Sequence, residues 1–170
     1  GAVVMNAGAY GGEMKDVLTS VRVMTEEGEI MELPAEELGL GYRTSIIPEK
    51  RYIVLGAVIS LTEGKKEEIK AQMDDLRQKR VSKQPLEYPS AGSTFKRPEG
   101  YFAGKLIQDS GLKGFTVGGA QVSEKHSGFV INKGNATAAD VMELIRQVTA
   151  KVKEDTGVTM EPEVKQIGEF

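Results

Sequence analysis

The chain has 170 residues, of which 39% are hydrophobic and 28% are charged, so it can form one ordinary domain or two small ones around a real core. It has no cysteine, which excludes disulfides, thiol catalysis and cysteine-ligated zinc, and its single histidine, His126, argues against His-rich metal sites and a Ser-His-Asp hydrolase. The net charge of -3 comes without a basic block, so no nucleic-acid partner is expected.

The first half of the chain alternates extended segments with glycine-rich turns. Ala2–Met5 is predicted to be a short strand that leads into the turn NAGAYGG at residues 6–12. Apolar and polar residues alternate over residues 18–25, and the returning EIMELP segment completes a predicted hairpin. Pro34 begins a predicted helical turn. Tyr52–Leu61 is a predicted strand, interrupted and far too short to span a bilayer, so no membrane association is expected.

A long helix and a proline-rich junction follow. Lys65–Arg80 is a predicted helix, in which the apolar residues Ile69, Met73 and Leu76 fall on one stripe. The segment Gln84–Pro98 has three prolines and little periodicity, which indicates an ordered loop or a junction between domains.

The last part of the chain is predicted to mix helices and strands. Tyr101–Asp109 is helical in pattern, Lys113–Val122 and Gly128–Asn132 are predicted strands, and Thr137–Asp155 is a helix whose capping box pairs Thr137 with Asp140. An extended segment ends the chain. The whole order predicts an α+β fold with a break inside the junction.

Two motifs of the first half have residue types suited to anions. NAGAYGG places three glycines in a short turn, where backbone N–H groups can converge on a phosphate, although a plain structural turn is the commoner use of such a sequence. Arg43 lies in a segment with little regular pattern, and a guanidinium there can bind a carboxylate through two N–H donors. An ordinary surface arginine is the alternative.

In the second half, Ser93 lies within four residues of Lys96 and Arg97. A hydroxyl beside cations can donate a proton, because positive neighbours stabilise the oxyanion left behind, although most loop serines only cap turns. Glu163, in the last extended segment, is a candidate charge partner for Arg43 or else a solvated strand residue.

Three further residues leave both a structural and a functional interpretation open. Arg80 and Lys83 follow the long helix, where cations are favoured by the helix dipole and could equally face a phosphate. His126 lies between two predicted strands, where a lone histidine is usually structural or exposed.

Five segments, in order along the chain, resemble the bacterial UDP-N-acetylenolpyruvoylglucosamine reductase family of cell-wall synthesis. They are GAVVMNAGAYGGE, GYRTSI, SKQPLEYPSAGSTFKRP, GGAQVSEKHSGFVINKGNATA and MEPEVKQIG. Each segment is moderately specific, whereas the ordered set is highly specific. The compact stretch from Ile46 to Tyr52 resembles the shorter of the family's two main forms.

The resemblance implies a flavin enzyme with FAD and NADPH as cofactors and UDP-N-acetylglucosamine enolpyruvate as substrate. FAD takes a hydride from NADPH and delivers it to the enol ether, and a proton added to the adjacent carbon yields UDP-N-acetylmuramate. A cytoplasmic enzyme, monomeric when complete and without a metal site, is expected.

The resemblance also implies a role for particular residues. Ser93 is expected to donate the proton, while Arg43 and Glu163 stabilise the charge that develops on the substrate. The residues expected to contact FAD are Asn6, Ala7, Gly8, Ala9, Tyr10, Gly11, Gly12, Arg80 and Lys165. Those expected to contact the substrate are Tyr42, Lys83, Lys96, Arg97 and His126.

The chain departs from the family pattern in three respects. Arg97 stands where some members have Asn, and Lys165 follows the PEV motif where Arg is frequent, which loses the two-pronged geometry. The family also has an N-terminal FAD-binding region before NAGAYGG. The chain is therefore expected to be incomplete, with residues 1–85 and 158–170 forming part of an FAD-binding domain and residues 86–157 a substrate-binding domain. A sugar-nucleotide-binding fragment without catalysis is the alternative function.

Overall fold

The computed structural model describes residues 1–168 and divides into two compact units, Gly1–Met73 and Asp74–Phe170. Helices and antiparallel strands both contribute to the chain, which confirms the predicted α+β class. The predicted FAD-binding and substrate-binding domains are defined by what they bind, and they stay predictions. Residues 169 and 170 of the predicted tail lie outside the described part.

The first unit begins with a turn closed by local backbone hydrogen bonds, so the predicted strand at Ala2–Met5 is wrong. The Met5 N–H donates to the Gly1 carbonyl at 3.1 Å, and the Ala7 N–H donates to the Ala2 carbonyl at 2.8 Å. The chain thus satisfies its backbone groups locally, without a partner strand. Asn6 then takes a left-handed conformation, with φ of 42°, and redirects the chain.

Two antiparallel systems follow in the first unit. Strands β1 (Gly8–Ala9) and β2 (Gly12–Glu13) form a small hairpin. Strands β3 (Leu18–Met24) and β4 (Ile30–Pro34) form the predicted larger hairpin, and β5 (Ile53–Ile59) pairs with the other side of β3. The sheet order is therefore β4-β3-β5, with the most buried strand in the centre.

One face of β3 supplies most of the first core. The predicted helical turn after Pro34 is confirmed as a 3₁₀ turn over Ala35–Leu38, and it ends at Gly39 with φ of 56°. The buried apolar residues of this unit are Leu18, Val21, Val23, Leu38 and Ile47.

Helix α1 (Lys66–Lys83) confirms the predicted long helix. Ile69 is 46% exposed and Met73 is 65% exposed, and Leu76 is only partly covered. The apolar stripe therefore lies at the surface of the described residues.

The second unit is built on a sheet of short strands. Strand β6 (Ser90–Ser93) is followed by helix α2 (Ala103–Asp109) and by strands β7 (Thr116–Val117), β8 (Ala120–Val122) and β9 (Phe129–Asn132). The strands pair antiparallel in the order β6-β9-β8-β7. The proline-rich junction thus contains a strand that belongs to this sheet.

The predicted single strand over Lys113–Val122 is wrong, because the chain reverses at Gly118 and Gly119 to form two strands. Gly118 has φ of 53°, a conformation that side-chain-bearing residues seldom adopt. At Gly119 a Cβ atom would lie 2.2 Å from the Gly134 carbonyl oxygen. The pair of glycines allows both the reversal and this close approach.

Helix α3 (Ala138–Thr156) packs on the sheet and begins at the predicted capping box. Thr137 Oγ1 accepts from the Asp140 N–H at 3.1 Å, and Asp140 Oδ2 accepts from the Thr137 N–H at 2.9 Å. The backbone hydrogen bond from Thr137 is the main reason that the pKa of Asp140 is lowered. The buried residues of this helix are Leu144, Ile145, Val148 and Val152.

Candidate functional site

Asn6 joins two of the sequence motifs of the first unit. Its side chain is 1% exposed, and its Nδ2 donates to Glu13 Oε2 at 2.7 Å and to the Gly41 carbonyl at 3.1 Å. Its Oδ1 accepts from the Lys15 N–H at 2.9 Å. The amide therefore fixes the NAGAYGG hairpin against the turn that carries Tyr42 and Arg43.

The hairpin that follows Asn6 offers backbone rather than side chains. Tyr10 and Gly11 form its tip with φ of 54° and 87°, the positive pair that a tight type I′ turn requires. A Cβ atom at Gly11 or Gly12 would meet nothing within 4 Å, whereas one at Gly8 would lie 2.7 Å from Glu13 Cγ. The predicted FAD-contacting residues of this hairpin, which lie at or near the surface, are Ala7, Gly8, Ala9, Tyr10, Gly11 and Gly12.

Arg43 lies at the tip of a second tight turn. Gly41 and Thr44 exchange backbone hydrogen bonds of 3.2 and 3.3 Å, and Arg43 has φ of 52°. The guanidinium carbon of Arg43 lies 5.2 Å from the centroid of the exposed Tyr42 ring. The backbone thus presents the predicted catalytic and substrate-binding side chains side by side.

In the second unit, Ser93 is the exposed last residue of β6, and the residue after it is firmly anchored. Thr94 is 2% exposed, and its Oγ1 accepts from the Val130 N–H at 3.0 Å. The Thr94 N–H donates to the Gly128 carbonyl at 2.8 Å. Ser93 therefore lies on a fixed backbone. The residue is exposed, and its hydroxyl donates a long hydrogen bond of 3.5 Å to the Phe95 carbonyl.

The end of the chain pairs with the segment that follows Ser93. Phe95 and Pro162 form an antiparallel bridge, and the Glu163 N–H donates to the Thr94 carbonyl at 2.8 Å. This pairing brings the predicted proton donor, Ser93, and the predicted charge-stabilising residue, Glu163, onto adjoining segments although they are 70 residues apart in sequence.

The predicted cations near Ser93 have partners within the second unit. Lys96 Nζ forms a salt bridge with Glu161 Oε1, and the Lys96 N–H donates to the Glu161 carbonyl at 2.9 Å. Arg97 Nε donates to the Tyr101 carbonyl at 3.2 Å, and its guanidinium carbon lies 4.0 Å from the centroid of the Phe102 ring. These contacts hold both side chains close to the segment that carries Ser93.

The remaining predicted ligand-binding residues of this unit differ in how they are held. Arg80 and Lys83 are exposed in the last turn of α1, and Lys165 is exposed in the final segment. His126 is partly buried, and its Nδ1 accepts from the Gly128 N–H at 3.1 Å, so the ring already has a structural role. Its role in substrate binding stays a prediction.

Comparison with known proteins identifies the family. The sequence model of the C-terminal domain of UDP-N-acetylenolpyruvoylglucosamine reductase matches residues 84–167. Over all 170 residues the chain is 66% identical to the protein of that name from Agathobacter rectalis, and it covers 54% of that relative. The chain belongs to the UDP-N-acetylenolpyruvoylglucosamine reductase family.

Other members of the reductase family agree with this identification. The protein of the same name from Lachnoclostridium phytofermentans is 63% identical over 169 residues, which cover 99% of this chain and 54% of the relative. The crystal structure of UDP-N-acetylenolpyruvylglucosamine reductase (MurB) from Thermus caldophilus superposes with a TM-score of 0.84 at 42% identity, over 97% of this chain and 58% of that one. The chain thus spans about half the length of the curated relatives that it matches.

Some residues that shape the reductase-like segments were not singled out from the sequence. Glu161 and Thr94 organise the segments around Ser93 and Glu163, but their role depends on a pairing between distant segments, which leaves no local signal. Asn6 was predicted as a cofactor contact. The sequence did not show that its buried side chain links two turns by hydrogen bonds.

The described residues contain neither a cluster suited to a metal ion nor a helix suited to a membrane. Within residues 1–168, no three His, Asp or Glu side chains lie together so as to hold a metal ion. Over the same residues, no helix has both the length and the apolar character needed to cross a membrane.

Proposed function

We propose that this chain supplies the catalytic side chains for the NADPH-dependent, FAD-mediated reduction of UDP-N-acetylglucosamine enolpyruvate to UDP-N-acetylmuramate in peptidoglycan synthesis. The observation that carries the proposal is the backbone pairing of Thr94 with Glu163, which brings Ser93 and Glu163 onto adjoining segments in a chain whose relatives bear the reductase name. A cytoplasmic location and a monomeric complete enzyme stay predictions.

The NAGAYGG hairpin suits part of an FAD site. Its residues are small apart from Tyr10, and Gly11 and Gly12 leave the backbone open to close approach by a ligand. Exposed N–H groups in a turn with positive φ favour an anion such as a diphosphate. Bound FAD, once reduced by NADPH, would supply the hydride that the terminal carbon of the enol ether requires.

In the proposed reaction Ser93 holds the proton that is added to the carbon next to the substrate carboxylate. Ser93 is an exposed residue on an anchored backbone, which suits a proton donor at a fixed position. Arg43 binds the substrate carboxylate through its planar pair of N–H donors. Together with Glu163 it stabilises the charge that develops on the substrate during the reaction. Each substrate gains one hydride and one proton, and NADPH is oxidised to NADP⁺.

The test uses a chimera in which the 170 residues are joined to the part of the Agathobacter rectalis relative that they do not match. Ser93→Ala is expected to slow reoxidation of the reduced flavin by the enolpyruvyl substrate by about 10²- to 10⁴-fold, the usual contribution of a general acid. Flavin reduction by NADPH should change little. Both half-reactions are followed by stopped-flow absorbance.

The matched control is Ser90→Ala, at the start of the same strand, where the hydroxyl lies 3.4 Å from the Gly92 N–H. This variant should keep both half-reactions near the wild-type rates. Equal slowing of the two half-reactions in Ser93→Ala would remove Ser93 from the role of proton donor.

A second candidate function is sugar-nucleotide binding without redox chemistry. It is favoured by one observation: the residues matched to the C-terminal domain, 84–167, lie wholly in the second unit, which has a core of its own. Saturable binding of UDP-N-acetylglucosamine enolpyruvate to the 170-residue chain in the absence of flavin, measured by calorimetry, would support it. Absence of binding would leave the reductase proposal as the sole candidate.

A further inference from the structure

The C-terminus of helix α1 has a carbonyl group that its own helix cannot satisfy. The Gln84 N–H donates to the Arg80 carbonyl at 2.9 Å, which continues the helical pattern. The corresponding donor for the Val81 carbonyl would be the N–H of residue 85, but Pro85 has no N–H. Such a carbonyl takes its hydrogen bond from water or from another segment of the fold.

Lys125 provides that donor from a distant loop. Its Nζ donates to the Val81 carbonyl at 3.0 Å and lies 3.5 Å from Glu87 Oε2, just beyond the end of the helix. A cation at a helix C-terminus also interacts favourably with the helix dipole. The pKa of Glu87 is lowered by the hydrogen bond from its own backbone amide and, to a smaller extent, by Lys125 and Lys133.

The loop that carries Lys125 is itself fixed. Ser123 is 1% exposed, and its Oγ accepts from the N–H groups of Lys125 and His126, both at 3.2 Å. At the other end of the loop the Gly128 carbonyl accepts from the Thr94 N–H, one residue after Ser93. Hydrogen bonds at both ends of this loop therefore connect the last turn of α1 with the residue that follows Ser93.

We propose that Lys125 is a positioning residue that caps α1 and holds Arg80 and Lys83, in its last turn, in place relative to the strand of Ser93. The inference rests on the proposed function, since it assumes that Arg80 and Lys83 face the anionic groups of FAD or the sugar nucleotide. Lys125 acts through the helix and not by contact with the ligand. Loss of its ammonium group should therefore weaken nucleotide binding more than it slows the chemical steps.

The first arm of the test measures hydrogen exchange of the peptide covering residues 80–88 in the 170-residue chain. Lys125→Met removes the ammonium group but keeps the backbone bond to Ser123, so the loop itself should persist. We expect exchange at the end of α1 to rise by about fivefold, as for loss of one partly exposed charged hydrogen bond. Lys125→Arg should restore most of the protection. Lys113→Met, at an exposed lysine outside both α1 and the 123–128 loop, is the control.

The second arm measures kinetics in the chimera described above. Lys125→Met should raise the KM for the enolpyruvyl substrate by roughly three- to tenfold with kcat within about twofold, the pattern of lost ground-state binding, and Lys125→Arg should reverse much of it. Unchanged exchange in Lys125→Met would overturn the capping role. Increased exchange with an unchanged KM would overturn the positioning role. A wild-type chimera without turnover would instead reject the proposed function, and the exchange arm would still decide whether Lys125 caps the helix.

Discussion

At Gly119 the β7–β8 turn lies directly against the loop that precedes α3. A Cβ atom there would lie 2.2 Å from the Gly134 carbonyl oxygen and 2.4 Å from the Ala136 nitrogen, both of which are backbone atoms. The Gly119 carbonyl also accepts from the Lys133 N–H at 2.9 Å, which holds the two segments together. A side chain can enter only if this backbone contact opens.

Gly119→Ala is therefore expected to lower the free energy of unfolding by about 1–3 kcal/mol, the usual cost of overpacking a tight contact. Gly134→Ala is the matched control, because a Cβ atom at Gly134 meets nothing within 4 Å. Urea denaturation followed by circular dichroism gives both values. If the two variants had equal stability, the close approach at Gly119 would be disproved.

The roles of single residues were predictable only where the signal is local. Thr137 and Asp140 form the predicted capping box, because a cap depends on residues three positions apart. Asn6 uses its amide on Gly41, which is 35 residues away, and His126 accepts from Gly128 within a loop of irregular shape. No spacing rule predicts such contacts from one sequence.

At the level of elements, the identity of both long helices was predictable, but the environment of one was not. Propensity and spacing predict α1 and α3 alike. Leu144 and Val148 of α3 are 0% exposed, whereas Ile69 and Met73 of α1 are 46% and 65% exposed. The burial of a helix depends on which other elements pack against it. The periodicity of the helix's own sequence carries no information about those elements.

The strand predictions succeeded and failed for a related reason. The β3–β4 hairpin was predicted correctly because both alternation and turn residues lie within one short stretch. Ala2–Met5 has the apolar composition of a strand but pairs with no other described strand. Its backbone groups instead form hydrogen bonds within residues 1–7. In Lys113–Val122, Gly118 and Gly119 were turn signals that the apolar pattern obscured.

The contrast between the helices gives a stability prediction. Leu144→Ala is expected to lower the free energy of unfolding by about 2–5 kcal/mol, because it leaves a cavity in the second core. Ile69→Ala should change it by less than about 0.5 kcal/mol, since surface substitutions remove few contacts. Denaturant titration of the 170-residue chain compares the two. A comparable loss in Ile69→Ala would show that α1 is covered in solution.

At the level of the whole molecule, the family was recognisable because five motifs occur in a fixed order along the chain. The relative placement of the candidate catalytic groups was not recognisable, because the pairing of Thr94 with Glu163 joins segments 69 residues apart. Order along the sequence thus predicted the class of protein, while the geometry around Ser93 required the folded chain.

The NAGAYGG hairpin supplies backbone groups and one exposed aromatic ring, so it should hold only part of an FAD molecule. We therefore expect the 170-residue chain to bind FAD at least about 100-fold more weakly than the chimera, a difference of about 2.7 kcal/mol. Fluorescence titration of FAD measures both affinities. In the chimera, Gly12→Val should weaken FAD binding, because the added side chain fills open space over the hairpin, whereas Gly134→Val should not. A stoichiometric flavin retained by the 170-residue chain through purification would contradict the prediction, since the hairpin and its unit would then suffice for the cofactor.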